Sequence, residues 1–263
     1  MSTQTLDKPK MVNTAELESK VKEMYQRVAE EPHGEFHFEM GRALAERLGY
    51  ASADLDRIPR EAVDSFAGVG YYFDLAALKP GESVLDLGSG SGMDTFVAAL
   101  KVGTQGKVLG VDMTDAQREK AERLRDRDGF DNVSYHKAYI ENTPFAPATF
   151  DCVISNGVIN LAADKAAVFR EAARVLKPGG RLAISDIITE KELPEGVTCN
   201  ATLWAACIGG ALQQDRYADT IRDAGLRLIT LRANPQYRFL TPQAQKACAT
   251  YGVKSVLILA VKI

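Results

Sequence analysis

Between Val84 and Asp94 the chain reads VLDLGSGSGMD, an apolar run that ends in an acid and then sets glycines at 88, 90 and 92. Backbone without Cβ atoms lets a ligand approach its N–H groups closely and permits φ > 0. A second acid, Asp112, closes GVDM about twenty residues further on, where a carboxylate can accept both hydrogen bonds of a ribose diol. A dinucleotide site uses such an acid in the same way, but its glycines follow G-x-G-x-x-G. Here the spacing is G-x-G-x-G, and Met93 stands where the third dinucleotide glycine belongs. Asp86 at the strand end would repel a pyrophosphate, yet it can orient an ammonium group through the loop.

An adenosyl group that carries an amino acid suits all of these residues. They point to S-adenosyl-L-methionine as the cofactor and S-adenosyl-L-homocysteine as its product. In an open parallel sheet such a ligand sits beyond the carboxyl ends of the strands, where the chain leaves the first strand for its helix.

The elements that must hold this loop follow from periodicity. SVLDLG, KVLGVDM, VSYHKAYI, FDCVISNG and RLAISDII read as five buried strands, the first, second and fourth leading into helical segments. RYADTIRDAGL reads as a further helix, and RLITLRA and SVLILAVKI as two last strands, the seventh inserted beside the sixth. The long stretch between those two is expected to be partly helical. The fold class is therefore α/β: a seven-stranded, mostly parallel, doubly wound sheet of Rossmann-like type. Before it, Thr14 to Glu30 carries Leu17, Val21, Met24, Tyr25 and Val28 on one helical face, with Thr14 as the expected N-cap. FEMGRALAERLGY and IPREAVDSF continue the helical pattern. Residues 1–75 are thus read as an N-terminal helical cap or substrate lid, and 76–263 as the cofactor-binding domain.

Composition narrows the class. With 263 residues, 46% hydrophobic and 25% charged, the chain can bury a sizeable core without staples. A net charge of −3 gives no electrostatic reason to expect nucleic acid, so the expected partner is a small molecule. No apolar run is long enough for a bilayer, and the first ten residues lack the apolar segment of a secretory signal, so a cytoplasmic protein without a membrane partner is expected. A monomer is the default expectation, with a homodimer as the alternative. Cys152, Cys199, Cys207 and Cys248 form no CxxC pair, and His33, His37 and His136 have no zinc-ligand spacing, so no metal is expected.

Residues 65 to 230 resemble class I methyltransferases and, more narrowly, the arsenite methyltransferase family. The resemblance rests on LKPGESVLDLGSGSGMD, GKVLGVDMTDAQ, SNGVINLAADKAAVFREAARVLKPGGRLAISDI and CIGGALQQDRYADTIRDAGL. It implies that Asp86, Gly88, Ser89 and Gly90, in the loop that Gly92 completes, cradle the methionine part of the cofactor. By the same implication Asp112 holds the ribose, Met113 packs on adenine, Ile140 and Glu141 bound the adenine edge, and Asn156 faces the cofactor. Arsenite enzymes of this type bind trivalent arsenic through cysteines at three places. This chain has Val69 at the first, Gly157 at the second and a cysteine, Cys207, at the third. One thiolate cannot hold a soft trivalent centre as two or three do.

Methyl transfer to an acceptor that is already nucleophilic needs alignment and exclusion of water more than acid–base help. A small soft acceptor (a thiol, sulfide or metalloid) fits that requirement. An alcohol or phenol would need a general base, for which His37 or a tyrosine such as Tyr72 are the candidates. Cys207, His37 and Tyr72 are therefore the candidate catalytic residues, and Tyr71, Tyr72 and Phe73 offer aromatic faces to a sulfonium. A small organic O, N or C acceptor remains the alternative, as does a module that binds the cofactor without turnover.

Overall fold

The computed structural model describes residues 13–198, 204 and 208–263. Its chain opens with helices α1 (Thr14–Glu30), α2 (Gly41–Leu48), α3 (Ser52–Leu55), α4 (Arg60–Asp64) and α5 (Phe73–Ala76). Strands and helices then alternate: β1 (Ser83–Leu87), α6 (Met93–Val102), β2 (Lys107–Asp112), α7 (Asp115–Asp128), β3 (Val133–Lys137) and β4 (Phe150–Asn156). The chain continues through a 3₁₀ turn at Ile159–Leu161, α8 (Lys165–Val175), β5 (Leu176–Ile188) and α9 (Glu195–Thr198). It ends in α10 (Gln214–Asp223), β6 (Leu226–Ala233), α11 (Pro242–Tyr251) and β7 (Lys254–Lys262).

The sheet order is β3-β2-β1-β4-β5-β7-β6, seven strands among the described residues. The first five pair in parallel, and β7 runs antiparallel between β5 and β6, the insertion expected from the sequence. Apolar strand residues point to both faces, as a doubly covered sheet requires. Val84, Val108, Ile154 and Ala183 face α6 and α7; Leu85, Val153, Leu182 and Ile258 face α8 and α10. The order reverses at β1, so the β1–α6 turn and the end of β4 open onto one crevice at the carboxyl edge.

Three boundaries depart from the sequence reading. Asn13, not Thr14, caps α1: its side chain accepts the Glu16 N–H at 3.2 Å, because the extended backbone lies one residue earlier. The third strand stops at Lys137 rather than Ile140, since Tyr139 bridges to Asn142 in a turn that brings residues 138–141 to the crevice. The fifth strand starts at Leu176, inside LKPGG, where Leu176 pairs with Phe150 of β4.

Helix α1 lies on α7, and carbonyls toward its C-terminal end accept hydrogen bonds from side chains. Gln117 Nε2 donates to Tyr25 O at 2.8 Å, Lys120 Nζ to Ala29 O at 2.8 Å, and Ser65 Oγ to Val28 O at 3.1 Å. This fastening holds the buried face of α1, Leu17 and Val21, over the crevice.

Candidate functional site

A cavity of about 280 Å³ fills the crevice. Its floor is the β1–α6 turn, one wall is the end of β2 with residues 138–141, another is Asn156 with Val158, and the roof is α1 with residues 62–68. Asp86, Gly88, Ser89, Gly90, Asp112, Met113, Ile140, Glu141 and Asn156 all line it. Gly92 does not: it starts α6, and a Cβ there would overlap the Tyr135 hydroxyl, so its bareness serves packing beneath the loop.

The loop is held by its neighbours. Gly88 N–H and Ser89 N–H both donate to Val111 O, at 2.8 and 2.9 Å, which ties the turn to β2. Gly90 has φ +53, and a side chain there would meet Gln117 at 3.6 Å and nothing nearer. That gap is a cradle a Cβ would occupy. Gly90 N–H donates to Asp112 Oδ2 at 3.0 Å, and Thr114 N–H donates to Asp112 Oδ1 at 2.8 Å. Burial raises the Asp112 carboxyl above the usual range, while those backbone bonds pull it back. Ser89 Oγ is buried and has no hydrogen-bond partner among the described residues.

Deeper lies Asp86, 2% exposed, which accepts the Thr95 hydroxyl at 2.7 Å. Burial, then the charge of Asp94, pushes it well above the ordinary carboxylate range. Asp94 is 6% exposed and also lines the cavity. It accepts Tyr50 Oη–H at 2.5 Å, Tyr72 Oη–H at 2.8 Å and Asn156 Nδ2–H at 2.9 Å. Asn156 also clamps the segment between α4 and α5 to β5: its Oδ1 accepts Val69 N–H at 2.7 Å and Ser185 Oγ–H at 2.5 Å, and its Nδ2 donates to Gly70 O at 3.0 Å.

The three candidate catalytic residues fare differently. Tyr72 is 0% exposed and does not line the cavity. Burial and then the charge of Asp94 hold its hydroxyl well above the usual tyrosine value, so it is an anchor for Asp94 and a poor base. His37 also lies outside the lining; it sits edge-on to Phe38 at 4.6 Å, and burial lowers its affinity for a proton. Cys207 lies outside the described residues. The aromatic residues before β1 turn into the core: Tyr71 and Phe73 pack with Tyr50 and do not line the cavity.

Val69 and Gly157, which the resemblance sets at cysteine positions, come together here. A Cβ on Gly157 would stand 3.1 Å from Val69 Cγ1, and Gly157 has φ +74. Val69, 1% exposed, fills that spot with an isopropyl group, in a cluster with Leu17, Val21, Leu161 and Trp204.

A sequence profile described as a methyltransferase domain matches residues 78–225. The arsenite methyltransferase of Halobacterium salinarum is 38% identical over 187 residues, 71% of this chain and 48% of the relative. The human arsenite methyltransferase is 44% identical over 159 residues, 56% of this chain and 42% of that protein. The crystal structure of an arsenic(III) S-adenosylmethionine methyltransferase from Chlamydomonas reinhardtii superposes with a TM-score of 0.68 at 31% identity, over 86% of this chain and 75% of that one. The chain belongs to the S-adenosylmethionine-dependent methyltransferase family. It spans less than half the length of these two curated relatives.

The residues present fit the family's methyl donor. Methyltransferases of this family take an adenosyl and an amino-acid moiety together, and the cavity offers a fixed carboxylate at Asp112, a bare turn at Gly90 and acids for an ammonium. Sequence reading missed Asp94, Tyr50, Ser91, Gln117 and the α1 residues Leu17, Glu18, Val21 and Tyr25. Asp94 stood within the quoted loop, in the first turn of α6, where a helix favours negative charge, and that signal could have found it. Its partner Tyr50, 44 residues away, gave none.

Proposed function

We propose that this chain is an enzyme that moves a methyl group from S-adenosylmethionine to a small acceptor that arrives already nucleophilic: a thiol, a sulfide or a related soft centre. One observation carries the reading. Among the described residues no histidine, lysine or arginine lines the cavity, and two buried tyrosines behind its lining, Tyr50 and Tyr72, are bonded as donors to Asp94. An alcohol or phenol would find no imidazole or amine base there, and the carboxylates of Asp86, Asp94 and Asp112 already accept hydrogen bonds from the chain.

Bound in the cavity, the donor would supply an electrophilic methyl group, taken by the acceptor's lone pair while the electron pair of the carbon–sulfur bond stays on sulfur. The chain's own residues bind and align. Asp112 receives the ribose hydroxyls, the Gly88–Gly90 turn admits the amino-acid end, and Met113, Ile140 and Glu141 border the base. Leu17, Val21, Ala62, Phe66 and Leu161 supply an apolar roof that excludes water from the transfer. In this reading residues 1–75 act as the cap and 76–263 as the donor-binding domain. His37 and Tyr72 fall from the catalytic set, and Cys207 stays as a candidate acceptor-holding thiol.

The relatives that match are named for arsenite. Val69 packed at position 157 favours an acceptor that needs no pair of thiolates at that spot. The apolar roof favours, as a second reading, a small apolar carbon acceptor. The test is release of S-adenosylhomocysteine with hydrosulfide, methanethiol, arsenite, selenite and small phenols. Turnover with the sulfur acceptors is expected, and turnover with phenols alone would overturn the proposal.

A further inference from the structure

Helix α1 presents Thr14, Leu17, Glu18, Val21 and Tyr25 to the cavity, and two kinds of hydrogen bond tie that roof to the other walls. At the rim, Tyr139 Oη–H donates to Glu18 at 2.7 Å, between exposed groups for which water competes. The inner tie is buried. Gln117, 2% exposed, donates from Nε2 to Tyr25 O at 2.8 Å and accepts Ser91 Oγ–H on Oε1 at 2.5 Å. One amide thus joins the roof helix to the loop that carries Gly88 and Gly90.

Two further observations set Gln117 against the ligand's place. It lines the cavity, and its Oε1 and Cδ, at 3.6 and 3.9 Å, are the atoms a Cβ on Gly90 would meet. A ligand seated in that cradle touches the same amide. Asp112 leads there as well: it accepts the Gly90 N–H on Oδ2 and the N–H of Thr114, the N-cap of α7, on Oδ1. The turn and the first turn of α7, where Gln117 stands, are therefore one hydrogen-bonded unit. We propose that Gln117 is a positioning residue that relays occupancy of the Gly88–Gly90 turn to α1, so that a filled turn holds the roof more firmly than an empty one and the methyl donor binds before the acceptor. This rests on the reading that the cavity holds S-adenosylmethionine.

A primary amide suits the place because it accepts at one end and donates at the other. A carboxylate there would offer Tyr25 O no donor, and an aliphatic side chain would serve neither partner. Lys120, one turn later on α7, supplies the contrast. It donates to Ala29 O and to Ser65 Oγ, both at 2.8 Å, and does not line the cavity. Lys120 fastens the end of α1 whatever the cavity holds, whereas Gln117 fastens it through the donor's turn. Coupling of this kind is reciprocal, so a seated α1 returns to the donor what the donor gives to α1.

The experiment is hydrogen exchange of the α1 amides in the full chain, followed peptide by peptide with and without saturating S-adenosylhomocysteine. In the wild type the ligand should slow exchange across residues 18–30 by about five-fold or more. In Gln117→Leu, with the ligand still bound by calorimetry, that slowing should shrink to less than about two-fold. Lys120→Met should speed exchange of α1 in the free chain and keep the ligand's effect. Equal slowing in the wild type and Gln117→Leu would overturn the proposal, as would a ligand-bound wild type with α1 unchanged. So would a Lys120→Met chain that loses the ligand's effect as Gln117→Leu does, since any loosened α1 would then behave alike. If Gln117→Leu fails to fold or to bind, Ser91→Ala, which leaves the bond to Tyr25 O, repeats the test: lost slowing supports the relay and retained slowing contradicts it. Wild-type protein that binds neither S-adenosylmethionine nor S-adenosylhomocysteine would overturn the functional reading itself.

Discussion

The two halves of the cavity are built by different rules. The half read as the donor's is made of strand ends and turns, its backbone N–H groups and acids tied by hydrogen bonds: Gly88 and Ser89 to Val111, Gly90 and Thr114 to Asp112, Thr95 to Asp86. The roof is made of helix faces and apolar side chains, Leu17, Val21, Ala62 and Phe66, shaped by packing. A fixed cofactor demands fixed chemistry at fixed places. An acceptor pocket needs only the right volume and polarity, which many residues supply.

The largest effect to be expected separates the halves outright. Gly90→Val puts branched carbon into the cradle at φ +53, and donor affinity should fall by about 100-fold or more by calorimetry. Leu17→Ala, a buried truncation in the roof, should cost about 2–5 kcal/mol of stability in denaturant while leaving donor affinity within a few-fold. If both variants lost donor binding alike, the division between halves would fail.

A middle-sized effect sharpens the acceptor side. Gly157→Cys forces a side chain into φ +74, at about 1–2 kcal/mol. Combined with Val69→Cys, which removes the facing methyl groups, it should gain binding of trivalent arsenic that the wild type lacks at these two positions, read by mass spectrometry of the native protein.

A smaller effect tests the acids through pH. The folded-state value of Asp86 is raised, so the folded chain binds more protons than the unfolded one, and its contribution to stability falls as pH rises through the raised value. Asp86→Asn should therefore melt a few degrees above wild type at neutral pH. The gap should close as pH falls toward the ordinary carboxylate range.

How much of this was legible follows from the same contrast. The places of VLDLGSGSG and GVDM at the ends of β1 and β2 were readable from strand alternation, and Asp86, Gly88, Ser89, Gly90 and Asp112 all line the cavity. The seven strands and the place of the last beside the sixth were readable from the alternation of elements, while the full order and the antiparallel run of β7 come from the fold. The Asp94 cluster was not, since Tyr50, Tyr72 and Asn156 reach it from 44, 22 and 62 residues away. Tyr72 looked available because aromatic runs before a sheet suit both a pocket and a core, and the unmet need of Asp94 for donors drew it inward. Val69 against Gly157 was read as two separate losses, and only the fold reveals them as one contact.

The smallest effect concerns Cys152. It is buried in β4, and burial pushes its thiol up to about 12, so it should resist alkylation in the native protein at pH 8 and react only on unfolding, followed peptide by peptide.

The central claim is that the turn at 88–90 and the acid at 112 hold S-adenosylmethionine. Isothermal titration of the purified chain with that donor and with NAD tests it most directly. Saturable one-to-one binding of S-adenosylmethionine, lost in Asp112→Ala and absent with NAD, is the expected result. Heat with NAD and none with the donor would contradict it.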